Sequence, residues 1–212
     1  MAPSATQIGT LICDPNEQSL GVGAFKTVHL GYLTLSPLSL HGLGRTPNER
    51  VAVKRPFFTK KGVPDDLTVS KIQIKRYNLS DELPRILTEA NMLYWATSLM
   101  ALTYGFIDRA LQSAPAPPPF NIPSLRYVHG AVALSGSRAY LLEELLDQSE
   151  GDPFVKYVHN VSLREGLAGH DIGEFLCFCQ HVQYVKTSRA AFISDFQGQL
   201  STSSLHYYLP IP

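Results

Sequence analysis

The 212-residue chain has no net charge: eighteen lysines and arginines offset eighteen aspartates and glutamates. Without an excess of one sign it lacks the long-range field that draws a protein to nucleic acid or to an anionic membrane surface, so neither partner is expected. It also lacks long apolar runs, and none approaches the roughly 18 residues a membrane-spanning helix needs. The N-terminal MAPSATQIGTLICDPNEQ has neither a basic start nor a long apolar stretch, so no signal peptide is expected. Cysteine is scarce. Cys13, Cys177 and Cys179 are odd in number and show no disulfide-framework spacing, which suits a reducing, cytoplasmic compartment. What is present is ordinary for a folded domain: 44% hydrophobic and 17% charged residues exclude a disordered or fibrous chain.

Proline, by contrast, is concentrated. LQSAPAPPPFNIPS (Leu111 to Ser124) contains Pro115, Pro117, Pro118, Pro119 and Pro123, which exclude a helix interior and a central strand there. It reads as a stiff connection between two halves. Before it, residues 20 to 58 read as strands, because VHLGYLTL and VAVKRPFF are short, rich in β-branched and aromatic residues, and separated by HGLGRTPNE. A long helix follows, with Ser80 as its expected cap and Asp81 and Glu82 complementing its dipole. Leu83, Leu87, Ala90, Tyr94, Thr97, Ala101, Tyr104 and Leu111 recur at helical spacing, with Ile86, Leu93 and Ile107 widening the stripe. A break near Gly105 is expected.

After the connection, AVAL and AYLLEELL form a strand pair around the turn SGSR, and FVKYV is a further short strand. Asp171 with Glu174 resembles a capping box for a helix reaching about Thr187, with Ile172, Phe175, Cys179 and Val182 as its inner stripe. AAFI, Ala190 to Ile193, is expected as a last buried strand with Asp195 and Gln197 at its mouth. The fold class is α+β in two lobes: one domain over 1–212, with an N-lobe of about 1–110, the connection 111–124, and a C-lobe of 125–212.

Several stretches could carry chemistry. In GVGAFKTVHLG, Gly21 and Gly23 let a turn bring backbone N–H groups close to a phosphate, although the dinucleotide and Walker patterns both fail at Lys26. In VAVKR, Val51 and Val53 face one side of a strand while Ala52 and Lys54 face the other. A strand lysine after a glycine-rich hairpin is how kinase folds hold nucleotide phosphates, and Glu89 on the long helix is the natural carboxylate to orient it. An ordinary protein kinase is excluded, because neither an H-R-D catalytic loop nor an A-P-E segment occurs.

Taken in order, GVGAFKTVHLG, VAVKR, the long helix, YLLEELL, FVKYVHN, FCQHVQY and FISDFQG resemble the alpha-kinase family of atypical Ser/Thr protein kinases, from about Gly21 to Gly198. The resemblance implies a two-lobed, protein-kinase-related fold that binds ATP with Mg²⁺ and phosphorylates a protein Ser or Thr. It implies that Lys54 binds the phosphates beneath Gly21 and Gly23, and that Glu143 lies in the hinge beside the adenine. Lys156 and Asn160 match a Lys-Tyr-Asn-Asn-Asn segment that lines the catalytic cleft, with Val158 and His159 replacing its middle asparagines. Asp195 matches the catalytic aspartate, and Gln197 the amide that with Asp195 holds magnesium.

The pattern breaks after Gly198. QLSTSSLHYYLPIP contains neither the family's Thr-Asp-Pro segment nor its later zinc ligands, and His181 matches only one of them. No zinc is expected, since a structural site needs about four ligands. The trio Cys177, Cys179 and His181 diverges on a helix and does not replace them. The C-lobe therefore reads as truncated, lacking its zinc-binding part, which would weaken or abolish activity. The alternative is a non-catalytic pseudokinase module that binds nucleotide or a protein partner.

Overall fold

The computed structural model describes residues 6–13, 19–60, 73–146, 155–158, 171–201 and 206–209. In chain order the elements are β1 (Ile8–Ile12), β2 (Gly21–Val22), β3 (Lys26–Ser36), β4 (Glu49–Lys60), β5 (Gln73–Arg76), α1 (Leu79–Ser113), β6 (Ser124–Tyr127), β7 (Gly130–Ser135), β8 (Arg138–Glu144), β9 (Val155–Val158), α2 (Asp171–Lys186), β10 (Phe196–Ser201) and β11 (His206–Leu209). They form two compact units, Met1–Ala90 with His129–Leu145, and Asn91–Val128 with Leu146–Pro212. This division falls within α1, not at the Pro-rich connection as the sequence suggested. The reason is strand pairing: β8 follows the connection but returns to pair with β4, and β7 pairs with β8.

The first unit holds an antiparallel sheet in the order β1-β3-β4-β8-β7, with β2 added to β3 and β5 to β4. Alternation along β4 sends Val51 and Val53 to one face, where they pack with Leu33, Leu43 and Leu142. On the opposite face Ala139 and Leu141 of β8 pack against Ile86 of α1. Each of the valine, leucine and isoleucine side chains buried here contributes about 1.5–3 kcal/mol. Lys54 lies on the face shared with Leu141, its cross-strand neighbour. The strand pattern predicted from VAVK therefore holds.

Helix α1 differs from its expected form in three ways. Its cap is Asn78, whose Oδ1 accepts the Asp81 N–H (3.0 Å) and the Ser80 hydroxyl (2.7 Å), while Ser80 is already helical. The helix is continuous to Ser113, without a break at Gly105. Its buried line is Glu82, Ile86, Leu93, Ala96, Met100, Thr103 and Ile107, whereas Leu87 and Tyr94 are exposed. Two polar residues and one alanine lie on that line, so counting large apolar residues rotated the predicted stripe away from it.

The second unit holds a four-stranded sheet in the order β6-β11-β10-β9, with β6 and β11 parallel and the other pairs antiparallel. Its core joins Leu93, Ala96 and Met100 of α1, Leu125 and Tyr127 of β6, Tyr157 and Val158 of β9, Ile172, Leu176 and Cys179 of α2, and Phe196 of β10. Tyr104 fastens the end of the Pro-rich connection: its hydroxyl donates to the Pro123 carbonyl and accepts the Leu125 N–H, both at 2.7 Å.

The expected strand at Ala190 to Ile193 is not formed; the strand begins at Phe196 and runs through Gln197 and Gly198. The backbone of Ile193 is instead satisfied by side chains of α2. Its carbonyl accepts from Gln180 Nε2 (2.7 Å) and its N–H donates to Gln183 Oε1 (3.0 Å), so no ladder partner is needed. Among the described residues, no helix is long and apolar enough to cross a membrane.

Candidate functional site

In the first unit, four charged side chains gather on one face of the sheet. Lys26 and Lys54 lie diagonally across the β3–β4 pair, since Val28 stands opposite Lys54 and Lys26 opposite Pro56. Glu143 stands opposite Ala52 across β4–β8, which places its carboxylate beside Lys54. The ion pair Lys54–Glu143 measures 2.7 Å, with side chains 10% and 2% exposed. Lys26 in turn pairs with Glu89 of α1 at 2.9 Å. This corrects the expectation that Glu89 supplies the carboxylate orienting Lys54. The helix delivers its acid to the β3 lysine, and the carboxylate at Lys54 comes from β8.

Glu143 is the more unusual of the two acids. Burial pushes its carboxyl above the ordinary range, and the ammonium of Lys54 opposes that shift. One carboxylate oxygen, Oε1, is buried with no hydrogen-bond partner among the described residues. Such an atom is costly to bury unless it is protonated or accepts a bond from a ligand.

Gly21 and Gly23 form a hairpin with β3, closed by the Gly23 N–H donating to the Lys26 carbonyl at 2.8 Å. A Cβ at Gly21 would meet nothing within 4 Å, and one at Gly23 would meet only the Lys26 oxygen at 3.7 Å. Packing within the fold therefore does not require glycine at either position.

The second unit brings together Lys156, Asp195 and Gln197. Strand β9 pairs with β10 so that Gln197 stands opposite Lys156, and the Lys156 ammonium lies 3.0 Å from Asp195 Oδ2. Asp195 Oδ1 is buried without a hydrogen-bond partner among the described residues. Residues 195 to 198 alternate half-buried and buried, so Asp195 and Gln197 share a face while Phe196 enters the core. Two oxygen donors on one face, one of them anionic with an unpartnered atom, fit a hard divalent cation such as Mg²⁺. Asn160 and His159 lie outside the described residues.

On α2, Cys179 is buried in the core, while Cys177, half-buried, and His181, exposed, lie one turn apart on the opposite side of the helix, so the three do not converge. Among the described residues no group of three or more His, Cys, Asp or Glu side chains is placed to hold a metal.

Sequence reasoning missed Lys26 as a partner of the acidic helix face, and Gln180 and Gln183 as the supports of the segment leading to Asp195. It also missed Glu82, a fully buried carboxylate that holds Arg55 (Nε–Oε1 2.5 Å) and accepts the Ala139 N–H at 2.9 Å. The signal was the interruption of apolar stripes by single polar residues, which marks buried hydrogen bonding when the helix around them is otherwise buried.

No protein-family model matches the sequence, and no curated protein matches it. Solved structures do. The chain is similar to the alpha-kinase domain of myosin heavy chain kinase A in complex with AMP, with 12% identity and a TM-score of 0.55 over 94% of this chain and 74% of that one. It is similar to an alpha kinase from Entamoeba histolytica, with 14% identity and a TM-score of 0.53 over 96% of this chain and 64% of that one. A mutant catalytic domain of myosin heavy chain kinase A gives 13% identity and a TM-score of 0.50 over 94% and 73%. At these identities the shared property is the fold: the chain has the α+β architecture of alpha-kinase domains.

Proposed function

We propose that the protein is an ATP-dependent protein kinase of the alpha type, transferring the γ-phosphoryl group of ATP to a Ser or Thr hydroxyl of a protein. The observation that carries this reading is Asp195. One of its carboxylate oxygens is held by Lys156 at 3.0 Å and the other is buried and unpartnered. Phosphoryl transfer depends on positioning and charge stabilisation more than on covalent chemistry, and a carboxylate so held can accept the proton side of an attacking hydroxyl. The AMP complex of a kinase with the same fold supports an adenine nucleotide as the ligand.

In this reading Lys54 binds the phosphates, and the Gly21–Gly23 hairpin covers them with backbone unobstructed by side chains. Glu143 and Glu89 act through the lysines they hold, Lys54 and Lys26. Lys156 fixes the direction of the Asp195 carboxylate through their ion pair, and Asn160 contributes a neutral amide to the catalytic residues. Asp195 and the Gln197 carbonyl would hold Mg²⁺, which when bound neutralises charge on the phosphates.

The test is thermal unfolding with and without Mg-ATP, in the wild type and in Lys54→Ala, followed by transfer of labelled phosphate to a protein substrate. Nucleotide at 100 times its Kd adds about 2.7 kcal/mol of stability, a shift of a few degrees. The shift is expected to vanish in Lys54→Ala, and transfer to vanish in Asp195→Ala. A Lys54-dependent shift without any transfer would make the protein a non-catalytic nucleotide-binding module. No shift at all would defeat the reading.

A further inference from the structure

The charged groups around Glu143 come from three elements: Lys54 from β4, Lys26 from β3 and Glu89 from α1. On β7, directly across from Glu143, Gly130 brings no side chain. Glu144, the next residue of β8, belongs to the other face and accepts the His129 N–H at 3.3 Å. Glu89 already holds Lys26 at 2.9 Å. Among the described residues the charge in contact with Glu143 is therefore the ammonium of Lys54, at 2.7 Å from one oxygen, while the other oxygen is buried and has no hydrogen-bond partner.

We infer that Glu143 is the positioning residue for Lys54, and that it takes up one proton when the phosphates of a bound nucleotide engage that lysine. The inference rests on the nucleotide-binding reading above and adds a protonation step to it. An ammonium cannot neutralise a buried carboxylate and a polyanion to the same extent as it neutralises either alone. Once Lys54 turns its N–H donors to phosphate oxygens, the ionised form of Glu143 has lost most of its compensation, and the neutral acid becomes the cheaper state. The balance is simple: a solvent proton binds the Glu143 carboxylate, with Oε1 as the open oxygen, and Lys54 keeps its own three protons. Burial already biases this carboxyl toward the protonated form in the free protein.

The competing possibility is that Oε1 accepts a hydrogen bond from the exocyclic amine of the base, which leaves Glu143 ionised. The two differ in proton count. Mg-ADP is titrated calorimetrically into the wild type in two buffers of equal pH and different ionisation enthalpy. Uptake of up to one proton per nucleotide is expected, with Kd rising by up to about tenfold per pH unit across the range where Glu143 titrates. Phosphates meeting an ammonium release protons instead of binding them, so uptake has the opposite sign to any contribution from the ligand. In Glu143→Gln the buffer dependence should disappear.

Binding without proton uptake in the wild type overturns the inference, and that measurement stands even if Glu143→Gln does not fold. Equal uptake in wild type and Glu143→Gln also overturns it. Absence of binding in every buffer instead defeats the nucleotide reading, and the inference with it.

Discussion

Lys156 and Gln197 stand opposite each other only because the β9–β10 register slips next to them. Phe196 pairs with Val158, but the following residue, Gln197, pairs with Lys156, leaving Tyr157 as an extra residue on β9. The bulge lets two successive residues, Tyr157 and Val158, both enter the core. It also sets the Lys156 ammonium against Asp195, the neighbour two positions before Gln197 on the same face. One backbone irregularity thus serves both packing and the candidate catalytic group.

If Asp195 directs the attacking hydroxyl, Asp195→Ala lowers phosphate transfer by about 10²- to 10⁴-fold. Nucleotide binding through Lys54 is expected to persist. Steady-state ADP production, read beside the nucleotide-induced thermal shift, separates the two effects.

Gln183 is fully buried and bonds the Ile193 N–H at 3.0 Å and the Thr103 hydroxyl at 3.4 Å. Gln183→Leu leaves that N–H without its acceptor, at a cost of about 1–3 kcal/mol. Urea unfolding should show the loss. Transfer activity should fall further than nucleotide affinity, because the freed segment leads directly to Asp195.

Glu82 joins the first turns of α1 to the sheet through Arg55 and the Ala139 N–H. Glu82→Ala strands the Arg55 guanidinium and the strand amide, so a loss of about 3–5 kcal/mol is expected. A change below about 1 kcal/mol in guanidinium unfolding would show that the pair does not anchor the helix.

The alkaline limb of stability reports on Cys179. Burial pushes its thiol from 9.0 up to about 12. The folded protein then keeps a proton that the unfolded chain loses, so stability declines as pH rises from 9.0 toward 12. The slope from this group is about 1.4 kcal/mol per pH unit. Cys179→Ala should be less stable at pH 8 yet decline less steeply between pH 9 and 11, as followed by urea midpoints.

Much of the scaffold was legible. The residues of β3, β4, β7, β8 and α2 carry local periodicities that match their structures, and the opposite facing of Val53 and Lys54 follows from a period of two. Asp195 and Gln197, singled out as an acid and an amide two residues apart, share a face as such residues on an extended chain do. The strand before them was misplaced because AAFI looks like a buried strand, while its middle is satisfied by two glutamines from a helix that passes beside it.

By itself the sequence determined which segments become strands or helices and which of their faces are apolar. These properties depend on neighbours within a turn or a pleat, where side-chain periodicity is enforced by backbone geometry. Only the tertiary structure decided which carboxylate meets which lysine. Glu89 was the nearer guess for Lys54, but β8 pairs with β4 in a register that sets Glu143 across from Ala52, leaving Glu89 for Lys26. Register between strands some ninety residues apart arises from the packing of both sheet faces at once. No local pattern encodes it.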